Sequence, residues 1–427
     1  MLSRLDLRGT DAELATALAR RVPEDPGPVD TVREIVADVR SRGDDALRDL
    51  TERFDGCRID DLRVPEKEML AALDEAPASL RAALDYARQE ITAYHEAQLG
   101  DDVRVERDGA VLREMTVPVD RAGLYVPGGR AAYPSTVLMT AIPARVAGVP
   151  EVALCVPPDR DGRVPAPTLA AAALVGVDEV YRLGGAQAIA ALAYGTDTIR
   201  PVDVIAGPGN VFVTLAKREV VGVVGIDGLA GPSELVVVAD DTAEPEFAAA
   251  DLVAQAEHGP DGAAILVTWS ERVADAVDGA IGALVGSAPR RSEIDATLAS
   301  GGRAILVDDP DAAISVANTI APEHLELMTA DPAELLPHVR NAGAVFCGPW
   351  SPAAVGDYVA GVNHVLPTAR TARFASALRV DTFRKHIHVV TFDEEALARV
   401  SPYVQALAEA EGLDAHRRSV ELRSADQ

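Results

Sequence analysis

Cysteine is scarce in this sequence: Cys57, Cys155 and Cys347 are all that 427 residues contain. Three thiols make no disulfide framework, so the expected compartment is reducing and the chain must fold by burying apolar surface. Positive charge is also in deficit, with 40 Lys and Arg against 67 Asp and Glu and a formal net charge of −27. A surface that acidic repels phosphate backbones and anionic lipid, which excludes nucleic acid and membrane partners. No stretch reaches the roughly 18 uninterrupted apolar residues of a membrane span. AAYPSTVLMTAIPARVAGV comes nearest, and two prolines and an arginine break it. The opening MLSRLDLRGTDAELATALARR lacks the apolar core of a signal peptide, so no export is expected and the location is read as cytoplasmic. There is no low-complexity segment, no short repeat and no G-x-G-x-x-G.

What is present is the balance of a globular protein, 48% hydrophobic and 25% charged, long enough for more than one domain. Residues 1–24 read as a helical segment. From Val29 to about Leu99 apolar residues recur at spacings of three and four, the period of amphipathic helices. VRVER and VLREMTVPV follow as strands around the turn Asp108-Gly109. From Gly123 the texture changes to short β-branched runs alternating with Ala-rich helical runs: EVALCVPP, TLAAAALVGV, DEVYRL, AQAIAALAYG, PVDVIAG. The alternation resumes after Leu229–Ser233 with ELVVVAD, PEFAAADLVAQAEHG and AAILVTW. Strand–helix alternation predicts parallel sheets flanked by helices, here two α/β units in succession. From about Arg384 a strand, HIHVVTF, and a helical tail are too small to fold alone.

Three glycine turns close strands: VPGGR (Gly128, Gly129), LGGAQ (Gly184, Gly185) and AGPGN (Gly207, Gly209). Such turns either close βα units or let a ligand approach the backbone at a helix N-terminus. Tyr125, Gln187 and Asn210 beside them favour a ligand cleft, although the usual dinucleotide fingerprint is missing. Among eight histidines, four keep polar company. Gln255 and His258 share a helix face at i, i+3, before a Gly259-Pro260 stop. Glu323-His324 follows a proline between helix and strand. Asp357 and His364 share a Gly- and Pro-punctuated loop, and His416 lies five residues after Glu411. His386 and His388 on the tail strand are read as one exposed and one packed. Nitrogen and oxygen donors from separate segments suit either structural duty or a divalent metal site with an open position.

Read together, VPGGRAAYPSTVLM, RLGGAQAIAALAYGT, AGPGNVFVTLAKR, GPSELVVVAD, AQAEHGPD, APEHLEL, SPAAVGDYVAGVNHVLPT and GLDAHRRSVELR resemble the histidinol dehydrogenase family, in order from about residue 25 to the C-terminus. The resemblance implies two incomplete Rossmann-like domains and a C-terminal dimerisation tail. It divides the chain into 25–122 plus 233–380 (substrate and zinc), 123–232 (NAD side) and 381–427 (the tail, exchanged with a partner subunit). It implies oxidation of L-histidinol to L-histidine by two NAD in succession, in a homodimer with one zinc per subunit. By the same resemblance Gln255, His258, Asp357 and His416 are the zinc ligands, and Glu323 and His324 the catalytic pair. Ser233, His364 and Glu411 join the metal ligands and His324 in contacting substrate. Tyr125, Gln187 and Asn210 contact NAD. Each hydride departure needs a proton removed from oxygen, which suits His324, and the water added between the oxidations needs a base, which suits Glu323. No cysteine is given a catalytic role. The competing readings are a zinc-dependent hydrolase on the same scaffold and a non-catalytic nucleotide-binding protein.

Overall fold

The computed structural model describes residues 1–10, 27–128, 131–259 and 261–424. Along the chain the strands are β1 (Ser3–Asp6), β2 (Arg104–Arg107) and β3 (Ala110–Pro118). The middle supplies β4 (Arg121–Tyr125), β5 (Glu151–Val156), β6 (Glu179–Arg182), β7 (Val204–Ala206) and β8 (Gly225–Ile226). Beyond them come β9 (Glu234–Ala239), β10 (Ala263–Thr268), β11 (Gly302–Leu306), β12 (His324–Met328), β13 (Ala344–Cys347) and β14 (Arg384–Phe392).

Two sheets are wholly parallel, in the orders β6-β5-β4-β7-β8 and β1-β11-β10-β9-β12-β13. Every residue of β4, β9, β10 and β12 is buried, which is why these strands read as continuous runs rather than alternations. The pleat still sorts their side chains. Leu235, Val237 and Ala239 face the helices Pro245–Ala256 and Glu271–Val285, while Val236 and Val238 face the helix Pro310–Ile320. Each such Val or Leu stabilises the fold by roughly 1.5–3 kcal/mol. The α/β reading with two incomplete Rossmann-like sheets therefore holds. No helix among the described residues is long and apolar enough to cross a membrane.

The packing partitions the chain differently from the expectation. Helices Val29–Arg42 and Asp44–Asp55 bury Val32, Ile35, Val36, Leu47 and Leu50 with Tyr125, Tyr181 and Ile189 of the five-stranded sheet and its helix, not with the six-stranded one. The N-terminal segment, read as helical, begins instead as β1, which pairs with β11 because Leu2 and Leu5 find apolar neighbours there. Residues 11–26, and with them most of the expected helix, lie outside the described residues, as do Gly129 and Pro260. Residues 99–119 belong with the tail in a second unit.

That second unit is built on an antiparallel sheet, β14-β3-β2. β14 pairs with β3 from Arg384 opposite Pro118 to Phe392 opposite Ala110. The β2–β3 hairpin turns at Asp108-Gly109, with φ of 43° and 78°, the left-handed pair that a two-residue loop between twisted strands requires. His386 and His388, two residues apart, share one face; both are exposed and both approach Glu114, which corrects their separate assignments. Helices Glu394–Ala410 and Asp414–Ser424 complete the unit.

One polar cluster lies within the six-stranded half. Glu326 of β12 and Asp251 of the helix Pro245–Ala256 face each other. Glu326 Oε1 accepts the Ala353 N–H at 2.8 Å, where the helix Ala353–Tyr358 begins, but its buried Oε2 meets no donor among the described residues. Burial, then the neighbouring carboxyl group, pushes Glu326 up to about 8, and burial pushes Asp251 up to about 6. Two such groups are content only while they share a proton. Their stabilising contribution is therefore complete below the unfolded carboxyl value of about 4.3 and is lost as pH rises through the raised values. Glu326→Gln, which donates permanently, should melt above the native protein at about pH 9 and match it at about pH 5. Melting temperatures that stay parallel across that range would contradict the shared proton.

Candidate active site

Chain order reverses within each parallel sheet, between β4 and β7 in one and between β9 and β12 in the other. Such switch points leave a crevice between diverging connections. A cleft of 1090 Å³ is lined from both. The five-stranded sheet contributes its C-terminal edge, where Tyr125 ends β4 and Gly207 follows β7. Gly207 has φ of 122°, and a Cβ there would collide with the Tyr125 carbonyl oxygen, so only glycine fits the turn. The Tyr125 hydroxyl accepts the Gly185 N–H at 3.0 Å. Asn210 Oδ1 accepts from Phe212 and Val213 N–H at 3.1 and 3.2 Å, capping the helix Val211–Glu219. Gln187 lies buried in the first turn of the helix Gly185–Tyr194.

The six-stranded sheet contributes its N-terminal edge instead. Ser233 immediately precedes β9 and Glu323 immediately precedes β12, while the helix Pro245–Ala256 runs back along the sheet and delivers Gln255 and His258 to the same edge. Glu323 Oε2 accepts the Ser233 hydroxyl at 2.6 Å and the Glu234 N–H at 3.0 Å. Ser233 Oγ also lies 3.2 Å from Gln255 Oε1. His324 Nδ1 is 3.2 Å from the Glu234 carbonyl oxygen and 3.5 Å from Glu323 Oε2, and its Nε2 is 3.5 Å from Asp357 Oδ1. His364 Nδ1 donates to the Asp357 carbonyl at 2.9 Å, and Thr136 Oγ1 sits 3.3 Å from its Nε2.

These contacts set the charges. Burial opposes a charge on His324, but the Asp357 and Glu323 carboxylates outweigh it and carry the imidazole up to about 9. Burial raises Glu323, with His324, Ser233 and Glu234 holding the rise in check. Asp357 ends below the ordinary carboxylate range: burial would lift it, and His324, His364 and His258 more than compensate. Burial pushes the His364 imidazole below its ordinary value, with Asp357 opposing. The base suggested by the sequence is thus protonated at neutral pH while both carboxylates flank it.

Among the described residues no group of three or more His, Cys, Asp and Glu is arranged to hold a metal. The set named from the sequence nevertheless fits a divalent ion in its chemistry. His258 Nδ1 is engaged with the Gln255 carbonyl at 3.2 Å, which leaves Nε2 as the lone-pair nitrogen. Asp357 is held ionised close by, and Gln255 Nε2 is buried without a partner. Together His258, Asp357 and Gln255 offer three nitrogen or oxygen donors, the number an open site takes from the protein and one fewer than a closed site carries.

Ser233, His258, Glu323, His324, Asp357 and His364 share the cleft wall with Tyr125, Gln187 and Asn210. Gln255 stands behind Ser233 rather than on the wall. Glu411 and His416 belong to the second unit, where both are exposed. The free cysteines do not line the cleft: Cys57 and Cys155 are buried, Cys347 ends β13, and burial raises all three thiols. Sequence reasoning missed Thr136, which orients His364, and Lys217, whose ammonium is buried beneath the Gly207 turn. A lysine on the apolar side of VFVTLAKREV was the available signal for the second.

A family model described as histidinol dehydrogenase matches residues 19–424. The histidinol dehydrogenase of Parasynechococcus marenigrum is 50% identical over 390 residues, spanning 91% of this chain and 89% of that protein. The chain belongs to the histidinol dehydrogenase family. The histidinol dehydrogenase of Thermobifida fusca is 48% identical over 429 residues, spanning 99% of this chain and 98% of that protein. The crystal structure of histidinol dehydrogenase from Elizabethkingia anophelis superposes with a TM-score of 0.95 at 35% identity, covering 99% of this chain and 98% of that one. Membership of this oxidoreductase family leaves the hydrolase reading without support.

Proposed function

We propose that this protein oxidises L-histidinol to L-histidine through L-histidinal, using two NAD in succession and one water. The observation that supports this best is the imidazole of His324 held between two carboxylates, facing glycine turns across one cleft. Tyr125, Gln187 and Asn210 hold the dinucleotide, which supplies the hydride acceptor when bound. Gln255, His258 and Asp357, with His416 of the partner subunit, would hold zinc, which would supply a positive charge that helps orient the substrate.

His324, once neutral, takes the proton from the alcohol oxygen as hydride leaves, and does so again from the hydrate. Glu323, raised by burial, takes a proton from the water that adds to the aldehyde. The Ser233 hydroxyl and Glu234 N–H fix that carboxyl group so that it need not reorganise. Ser233 and His364 also meet the substrate, and Glu411 of the partner's tail faces its amino group. The location is cytoplasmic.

The dimer reading is supported by the second unit itself. Val390, Tyr403, Leu407 and Leu422 are each more than 60% exposed, at 65%, 72%, 66% and 62%, an apolar dressing that solvent alone does not favour. Exchange of such an element about a twofold axis is the route by which a tail carrying Glu411 and His416 would serve a partner subunit.

Purified protein given L-histidinol and NAD should produce NADH. Dialysis against a chelator should abolish this and zinc should restore it; full activity without metal would rule the zinc reading out. The shared site has a separate test, in which inactive His416→Ala and inactive His258→Ala proteins are mixed under subunit exchange. A crossed tail gives each heterodimer one intact site and recovers activity; a mixture that stays dead after confirmed exchange means each tail serves its own subunit.

A further inference from the structure

A buried ion pair lies under the glycine turn that follows β7. Lys217, on the helix Val211–Glu219, and Asp227, just after β8, have side chains only 3% and 4% exposed. Lys217 Nζ donates to Asp227 Oδ1 and, at 3.0 Å, to the carbonyl oxygen of Gly207. Asp227 Oδ2 accepts the N–H of that same glycine at 2.7 Å, and Oδ1 accepts the Gly228 N–H at 2.8 Å. The peptide groups on both sides of Gly207 are thus gripped by opposite charges.

Stability is a poor reason for such a pair. Taking both charges out of water costs so much that apolar side chains of similar volume usually do as well. What apolar replacements would lose is the direction of the Gly207 N–H and C=O. That direction matters because Gly207 sits against the Tyr125 carbonyl with no room for a Cβ, and the next three residues, Pro208, Gly209 and Asn210, line the cleft. The segment after Asp227 is tied down too. The Thr214 hydroxyl donates to the Ala230 carbonyl at 2.7 Å, and the Gly231 N–H to the Thr368 hydroxyl, on the way to Ser233.

We propose that Lys217 and Asp227 are positioning residues for the dinucleotide, clamping Gly207 so that Pro208-Gly209-Asn210 keeps the shape that receives it. The inference rests on the reading that this side of the cleft binds NAD. Neither residue touches the cofactor; both act through the turn. Loss of one partner leaves an uncompensated buried charge, so single variants would unfold more easily whatever their role. Two double variants separate positioning from stability.

Lys217→Met with Asp227→Leu removes both charges and every hydrogen bond to the turn. Lys217→Gln with Asp227→Asn removes the charges but keeps an acceptor for the Gly207 N–H and a donor for its carbonyl. NAD binding to the purified protein is measured by calorimetry, without substrate, alongside melting temperature and amide exchange at Gly209 and Asn210. The apolar pair should melt near the native protein yet bind NAD about tenfold or more weakly, with faster exchange at those amides. The amide pair should recover most of the affinity and the slow exchange. Two doubles that bind equally, whether both strongly or both weakly, overturn the proposal. A native protein that binds no NAD at all instead removes the dinucleotide reading.

Discussion

A carboxylate taken out of water must be given donors, and the placement of Glu323 follows from that requirement. Its Oε2 is satisfied by the Ser233 hydroxyl and the Glu234 N–H, both at the start of β9, so the start of β12 has to lie beside it. That register brings His324 against the Glu234 carbonyl and within reach of Asp357. The same Ser233 touches Gln255, which places the end of the helix Pro245–Ala256, and His258 beyond it. One buried acid thus fixes the relation among four segments that are far apart in the chain.

The two sheets use their switch points in opposite senses. In the five-stranded sheet the cleft residues follow the strands, where turns open toward helix N-termini and backbone N–H groups are available. In the six-stranded sheet they precede the strands, where side chains rather than backbone supply the chemistry: an acid, an imidazole and an alcohol. The cleft accordingly has a wall of glycine turns opposite a wall of titratable groups, which matches a reaction that moves hydride one way and protons the other.

Much of this was legible from residue pattern. The runs that became β9, β10 and β12 are apolar end to end because both faces are covered, and Asp108-Gly109 marked its hairpin turn by residue type alone. The partners of amphipathic helices were not legible. Periodicity says that Val32, Ile35 and Leu47 are buried, not that Tyr125 and Ile189 bury them. β1 was read as helix because a four-residue edge strand carries too little pattern to compete with the charged, Leu-rich text after it. Within the site, the roles of single residues came from family motifs, since spacing cannot show that Asp357 and Glu323 flank His324 from two directions. The elevated value of that imidazole, about 9, is a property of three segments meeting, and no one of them encodes it.

The central claim is a division of labour: His324 moves the protons that accompany hydride, and Glu323 activates the water that arrives between the two oxidations. The most direct measurement compares Glu323→Gln with the native protein on L-histidinol and on L-histidinal, each with saturating NAD. The account predicts that oxidation of L-histidinal, the step that needs water, is impaired by a much larger factor than the first oxidation of L-histidinol to L-histidinal, followed as the first NADH formed. Equal losses in both steps would contradict it and assign the glutamate to hydride departure as well.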